Sequence, residues 1–246
     1  MQIKVIVNGA QGKMGELACK TIEEHSSLTL VAGLGRHDVL ADEIRAKQAD
    51  VVVDLTRADS VYDNSLTIIE LGAHPVIGTS GLNDKQIAKL QHLSLEKKLG
   101  GLIVPNFSIG ALLMMHFASI ASRFFPECEI VEAHHQNKLD APSGTALKTA
   151  ELIKNARMSE RAQLKLKELV SGARGGIYQD VPVHAIRLPG ILAKQDVIFG
   201  SFGETLTIGH NSIDRSAFMP GLALACTSVM DLDTLYYGLE HILDLA

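Results

Sequence analysis

Short β-branched runs alternate with amphipathic helical stretches over residues 1–105, and this alternation narrows the fold more than any other feature of the chain. Ile3–Val7 reads as a strand, after which Met14, Leu17, Ala18, Thr21 and Ile22 share one face of a helix. Leu28–Leu34 and Val51–Leu55 read as two more strands. A helix through Leu66, Ile69 and Glu70, a strand at Pro75–Ile77, a helix over Asp84–Lys97 and a strand at Leu102–Val104 complete the series. Apolar strands separated by helices form a parallel, doubly wound sheet, whose ligands gather at the carboxyl ends of the strands. The unusual loops fall at those ends: Gly9–Gly15, Gly35-Arg36, Asp54–Arg57, Gly78–Gly81 and Pro105–Ser108. They predict one extended site along a single sheet edge.

The pattern changes after residue 108. A helix through Leu112, Met115, Ile120 and Phe124 leads to a strand at Glu129–His134 and a helix ending near Asn155. Further β-like runs at Val181–Arg187, Asp196–Phe202 and Glu204–His210 predict a mixed sheet in a second domain. From about Asp214 the chain reads as helical again and is expected to return to the first domain. The expected division is 1–105 with 214–246, and 106–213.

The first loop carries Gly9, Gly12 and Gly15 around Lys13 and Met14, immediately after a strand and at the start of a periodic helix. Such glycines allow a tight turn, close approach of backbone to a pyrophosphate, and close helix-on-strand packing. In this context the trio predicts a dinucleotide site of the Rossmann type. An acidic residue for the ribose 2′-OH is expected about 20 residues further on, where the chain has Gly35 and Arg36. A guanidinium without that carboxylate favours a 2′-phosphate, so NADPH is the expected cofactor, with NADH possible. Asp38 or Glu43 could supply the carboxylate if the loop folds back, and a solvated loop arginine is the plain alternative for Arg36.

A formal charge of −5 with no Lys/Arg run argues against a nucleic-acid partner. Three cysteines, Cys19, Cys128 and Cys226, are widely spaced without a C-x-x-C pair, which suits reduced thiols in a cytoplasm. The strand at the N-terminus runs straight into the glycine loop, so no signal peptide is expected. The apolar stretch Gly110–Ala121 is broken by His116 and is too short to span a bilayer. No metal-ligand spacing involves His184, His210 or His241, and no metal is expected.

The densest chemistry lies in Glu132-Ala-His-His-Gln-Asn-Lys-Leu-Asp-Ala-Pro-Ser-Gly-Thr-Ala146. Imidazole exchanges protons near neutral pH, lysine supplies a positive point charge, and a helix opening at Ser143-Gly144-Thr145 aims backbone N–H groups at an anion. Ser143 is the expected cap. Glu132 and Asp140 are better placed as partners for the cations than as acids. Together these residues predict a pocket for a small carboxylate that must be protonated.

This stretch strongly resembles the signature of the dihydrodipicolinate reductase family, and the likeness extends over nearly the full length. The resemblance implies an N-terminal doubly wound parallel Rossmann-type sheet plus an α+β substrate-binding and oligomerisation domain with a mixed sheet. It implies reduction of 4-hydroxy-tetrahydrodipicolinate, by way of dihydrodipicolinate, for lysine and diaminopimelate synthesis, and a homotetramer joined through the central sheet. His134 would be the general acid, and Lys138, also catalytic, would neutralise a substrate carboxylate or donate a hydrogen bond toward the ring nitrogen. His135, Gly144 and Thr145 would bind the cyclic dicarboxylate. Gly78, Thr79 and Ser80, with Pro105, Asn106 and Phe107, match segments lining the nicotinamide end, and Arg57 matches a segment near the cofactor. The chain departs from the family at Gly35, where an acidic residue often precedes the arginine, at Pro189, and at Gln195, which stands where a histidine is usual. An aspartate dehydrogenase-like enzyme and a non-catalytic NADPH-sensing protein are the alternative readings.

Overall fold

The computed structural model describes residues 2–159 and 167–243. Met1 and residues 244–246, which belong to the expected nucleotide-binding segment, lie outside them. The chain divides into two compact units, residues 1–109 with 215–246, and residues 110–214.

The first unit is a six-stranded, all-parallel sheet. Its strands are β1 (Ile3–Asn8), β2 (Leu28–Leu34), β3 (Val51–Asp54), β4 (His74–Ile77), β5 (Gly101–Ile103) and β11 (Leu235–Tyr237), in the order β11-β5-β4-β3-β1-β2. The order reverses beside β1, at the point where open α/β sheets leave a crevice for ligand. Helices α1 (Lys13–Glu24), α2 (Leu40–Lys47), α3 (Val61–Glu70) and α4 (Asp84–Lys97) connect the strands, and α7 (Met219–Ser228) packs against α1. Val5, Ile6, Val7, Val51, Val52 and Val53 are all fully buried, the mark of strands covered on both faces. Ile6, Val52 and Ile77 join Ile44, Ile68, Ile69, Leu90 and Leu235 in one apolar core.

Two elements of this unit escape the sequence pattern. Only Ile44 of α2 is buried, so its eight residues carry too few apolar positions to show a period. Strand β11 is three residues long and lies in a stretch read as helical, yet it pairs in parallel with β5 through Leu235↔Gly101 and Tyr237↔Ile103.

The second unit is built on a mixed five-stranded sheet in the order β10-β9-β6-β8-β7, formed by β6 (Glu127–His134), β7 (Gly176–Tyr178), β8 (Val181–Arg187), β9 (Ala193–Ser201) and β10 (Glu204–Ser212). Strand β6 is central, parallel to β8 and antiparallel to β9. Ile130, Val183, Val197 and Phe199 are buried with Ala146, Ala150 and Ile153 of α6 (Gly144–Ala156), and α5 (Ile109–Ala121) precedes the sheet. Strand β7 adds a short edge that the sequence pattern does not reveal. Among the described residues no helix is long and apolar enough to cross a membrane.

Candidate active site

In the first unit, Gly9 follows β1 with φ +90°, and a Cβ there would lie 2.5 Å from the Leu55 carbonyl oxygen. At Gly15 a Cβ would lie 2.1 Å from the Gly9 carbonyl oxygen, so only glycine lets α1 start this close to the strand. Gly12 is different. Its φ is −83° and a Cβ would meet nothing nearer than 3.4 Å, so the protein itself does not require glycine there. Gly12 is also the first cap of α1 and makes no side-chain cap hydrogen bond, which leaves the amide end of α1, at exposed Lys13 and part-buried Met14, bare of side-chain acceptors. That clearance and those donors fit a pyrophosphate.

The carboxyl ends of neighbouring strands meet at Asp54, which is fully buried. Its Oδ1 accepts from the Thr56 amide (3.2 Å), the Thr56 hydroxyl (2.7 Å) and the Thr79 hydroxyl (2.6 Å). Its Oδ2 accepts from the side-chain amides of Asn8 (3.1 Å) and Asn64 (2.8 Å). One carboxylate thus ties together β1, the β3 loop, α3 and the Gly78–Ser80 loop. Gly78 is held against Phe107, whose ring would lie 2.6 Å from a Cβ at that position. Phe107 is buried, and its ring packs the loop. Ser80 and Pro105 are exposed, and Asn106 accepts from the Ser108 amide at 2.8 Å. Arg57 is exposed and pairs with Asp59 at 3.2 Å, turned from the Asp54 cluster to solvent.

Beyond β2, Arg36 is exposed, and the Asp38 carboxylate does fold back, accepting from the Gly35 amide at 2.7 Å. A carboxylate therefore stands at the strand end although Gly35 itself carries none.

The second unit places His134 at the last position of β6 and Glu132 two residues before it, on the same face. The Glu132 carboxylate is fully buried and meets four donors. Arg187 of β8 donates to it twice at 2.9 Å, His134 Nδ1 lies 2.7 Å away, and the Ser143 amide donates at 3.1 Å. Burial alone would push the Glu132 carboxyl up, but the bonds and charges of Arg187 and His134 outweigh it and hold the group below the usual carboxylate range. Burial lowers His134 below the usual imidazole value, Glu132 opposes that, and the charges of Lys138 and Arg187 add to it.

Arg187 also donates to the Asp140 carbonyl at 2.6 Å, fixing the loop that carries Lys138. Lys138 pairs with the Asp140 carboxylate at 2.7 Å, and its amide bonds the carbonyl of part-buried His135 at 3.0 Å. Ser143 caps α6 by accepting from the Ala146 amide at 3.2 Å. The first-turn amides at Gly144 and Thr145 have no carbonyl of their own helix to meet. A Cβ at Gly144 would find nothing within 4 Å, so the ground before this helix start is open.

The structure thus brings together His134, Lys138 and the α6 start, as the signature suggests. Arg187 lies in the stretch Ala185–Gly190, which resembles a family stretch of arginine, glycine and histidine, but the sequence reading gives it no role, because its partner Glu132 stands 55 residues away. Gln195, buried on β9 opposite Glu132, donates to the Thr149 hydroxyl at 2.7 Å. Among the described residues no cluster of His, Cys, Asp and Glu could hold a metal ion.

A nucleotide-type sheet edge in one unit, and an imidazole and an ammonium beside a helix start in the other, are the parts expected of an oxidoreductase for small anionic substrates. The chain belongs to the dihydrodipicolinate reductase family: the model of its N-terminal part matches residues 3–107 and that of its C-terminal part residues 110–243. It is 59% identical to a 4-hydroxy-tetrahydrodipicolinate reductase of Legionella pneumophila, over 99% of this chain and all of the relative. A protein of the same name from Coxiella burnetii is 51% identical over 99% of the chain and its own full length. A solved structure described as dipicolinate-bound dihydrodipicolinate reductase from Paenisporosarcina sp. TG-14 superimposes with a TM-score of 0.91 at 39% identity, covering 99% of this chain and 100% of that one. An amine dehydrogenase from Mycobacterium smegmatis, at 9% identity and TM-score 0.68, covering 100% of this chain and 97% of that one, shares the fold alone.

Proposed function

We propose that the protein reduces 4-hydroxy-tetrahydrodipicolinate, by way of dihydrodipicolinate, to tetrahydrodipicolinate with NAD(P)H, in diaminopimelate and lysine biosynthesis. The observation that carries this reading is the convergence of His134, Lys138 and the open α6 start in one short segment, in a chain matched end to end by reductases of that name. A reduced nicotinamide, when bound, supplies the hydride. Residues 1–109 with 215–246 are the nucleotide-binding unit, with Gly9, Gly12, Lys13, Met14 and Gly15 around the pyrophosphate. Arg57, the Gly78–Ser80 loop and Pro105–Phe107 belong to the same site, the last two toward the nicotinamide.

Residues 110–214 take the substrate. Lys138 leaves Asp140 for one substrate carboxylate, while the Gly144 and Thr145 amides receive the other. His135 helps to orient the ring. His134 delivers the proton that the reduced enamine needs, a step worth about 10²–10⁴-fold. NADPH is preferred through Arg36, and NADH is accepted because Asp38 brings a carboxylate to the same strand end.

In a coupled assay that generates the unstable substrate in situ, wild-type protein consumes NADPH. His134→Gln and Lys138→Met lose turnover while binding NADPH nearly as before. Full activity in either variant rejects the role given to that residue, and an ammonia-dependent reaction on acyclic amino acids rejects the reading as a whole. A KM for NADH at or below that for NADPH rejects the cofactor preference. We further infer a cytoplasmic homotetramer, supported by three free cysteines and by Ile186 and Ile198, each 39% exposed on the sheet face that carries Val131. Light scattering that finds a monomer rejects the tetramer.

A further inference from the structure

We propose that Glu132 is the positioning residue of the reaction: its buried carboxylate holds the His134 ring with a proton on Nδ1, so that Nε2 is the atom that exchanges a proton with the substrate. The inference rests on His134 being the acid, and adds which nitrogen acts and what fixes it.

The argument begins with charge. A carboxylate at 0% exposure is kept ionised only by paired cations and converging donors, and Glu132 has both. An ionised carboxylate accepts and cannot donate. The 2.7 Å contact to His134 Nδ1 therefore requires that Nδ1 carry the hydrogen in either protonation state of the ring. The neutral ring is then left with its lone pair on Nε2, and the charged ring loses its Nε2 proton.

Glu132 cannot swing away to release the ring. Arg187 grips both of its oxygens, and the Ser143 amide, at the cap of α6, holds Oε1. The same carboxylate thus sets the imidazole and anchors the start of the helix whose amides are assigned to the substrate. A change at Glu132 should accordingly alter proton delivery and substrate binding together, unlike a change confined to either.

The first measurement uses the wild-type protein. Long-range ¹⁵N–¹H correlation spectra of the His134 ring, recorded above its titration, are expected to report the Nδ1–H tautomer, and the Nε2–H tautomer overturns the proposal. The second compares Glu132→Gln with His134→Gln. An amide offers one acceptor oxygen where four donors converge, so Glu132→Gln is expected to lower kcat about 100-fold and to raise KM for the dicarboxylate. Losing the carboxylate removes what holds the imidazole pKa up, so kcat/KM should fall at a lower pH than in wild type as pH rises. Wild-type turnover and an unmoved pH profile in Glu132→Gln, with His134→Gln inactive, overturn the proposal and leave the reaction assignment standing. Full activity in His134→Gln removes the acid itself and overturns both.

Discussion

Each unit buries a carboxylate completely, and the two are held in opposite ways. Asp54 meets five neutral donors, from two asparagines, two threonine hydroxyls and an amide. Glu132 meets a guanidinium, an imidazole and a single amide. Neutral donors do not titrate near pH 7, so the Asp54 cluster is a fixed frame for the loops at the carboxyl edge of its sheet. The Glu132 cluster contains a group that gains and loses a proton, and it has a full positive charge from Arg187 to keep the carboxylate ionised throughout. One arrangement holds shape with neutral groups alone, and the other holds shape around an imidazole.

The largest effect should come from breaking the charged cluster. Arg187→Met leaves Glu132 buried with only His134 and an amide, and removal of one partner from a buried pair costs about 3–5 kcal/mol. Urea unfolding should show that loss. Arg187→Lys should recover only part of it, because an ammonium is a point charge and cannot fork onto both carboxylate oxygens. A loss below about 1 kcal/mol would mean that water reaches Glu132 once the arginine is gone.

A smaller effect is expected in the neutral cluster. Asp54→Asn keeps one acceptor oxygen for Thr56 and Thr79, and turns an amide toward Asn8 and Asn64. Those two side chains can rotate to offer oxygen instead of nitrogen, so the expected cost is about 1–2 kcal/mol. Nucleotide KM should rise as the Thr79 loop loosens, while the pH profile of kcat/KM stays where it is. A moved pH profile would contradict the separation between the neutral cluster and the charged one.

Which parts of this arrangement the sequence displays depends on how local each interaction is. The parallel sheet is legible because Val5–Val7 and Val51–Val53 are buried on both faces and so are continuously apolar. Ser143 is legible as a cap because its bond to Ala146 spans three residues. His134 and Lys138 stand four residues apart in a segment whose density of chemistry, helped by family likeness, exposes them. The pairing of Arg187 with Glu132 is hidden because the two stand on parallel neighbour strands, and parallel neighbours are joined by long crossovers. Asp38 is half visible: the sequence supplies the carboxylate, but only the loop conformation brings it to the Gly35 amide. Helix α2 and strand β11 are missed because each is short and buries too few side chains to print a period.

The smallest expected effect separates glycines kept by the protein from those kept for a ligand. Gly15 is required by the fold, since a Cβ there would collide with the Gly9 carbonyl. Gly144 has no such constraint: its φ is not in the left-handed region, and a methyl would enter open space. At the first position of α6, alanine should stabilise the second unit by up to about 0.5–1 kcal/mol, because glycine loses more backbone freedom in a helix. The same methyl would stand before the amides assigned to a substrate carboxylate. Gly144→Ala should therefore raise Tm slightly and raise KM for the dicarboxylate, with KM for NADPH unchanged. Stability and affinity moving in opposite directions at one residue is the signature of space reserved for substrate; a higher Tm with an unchanged dicarboxylate KM would place the substrate elsewhere.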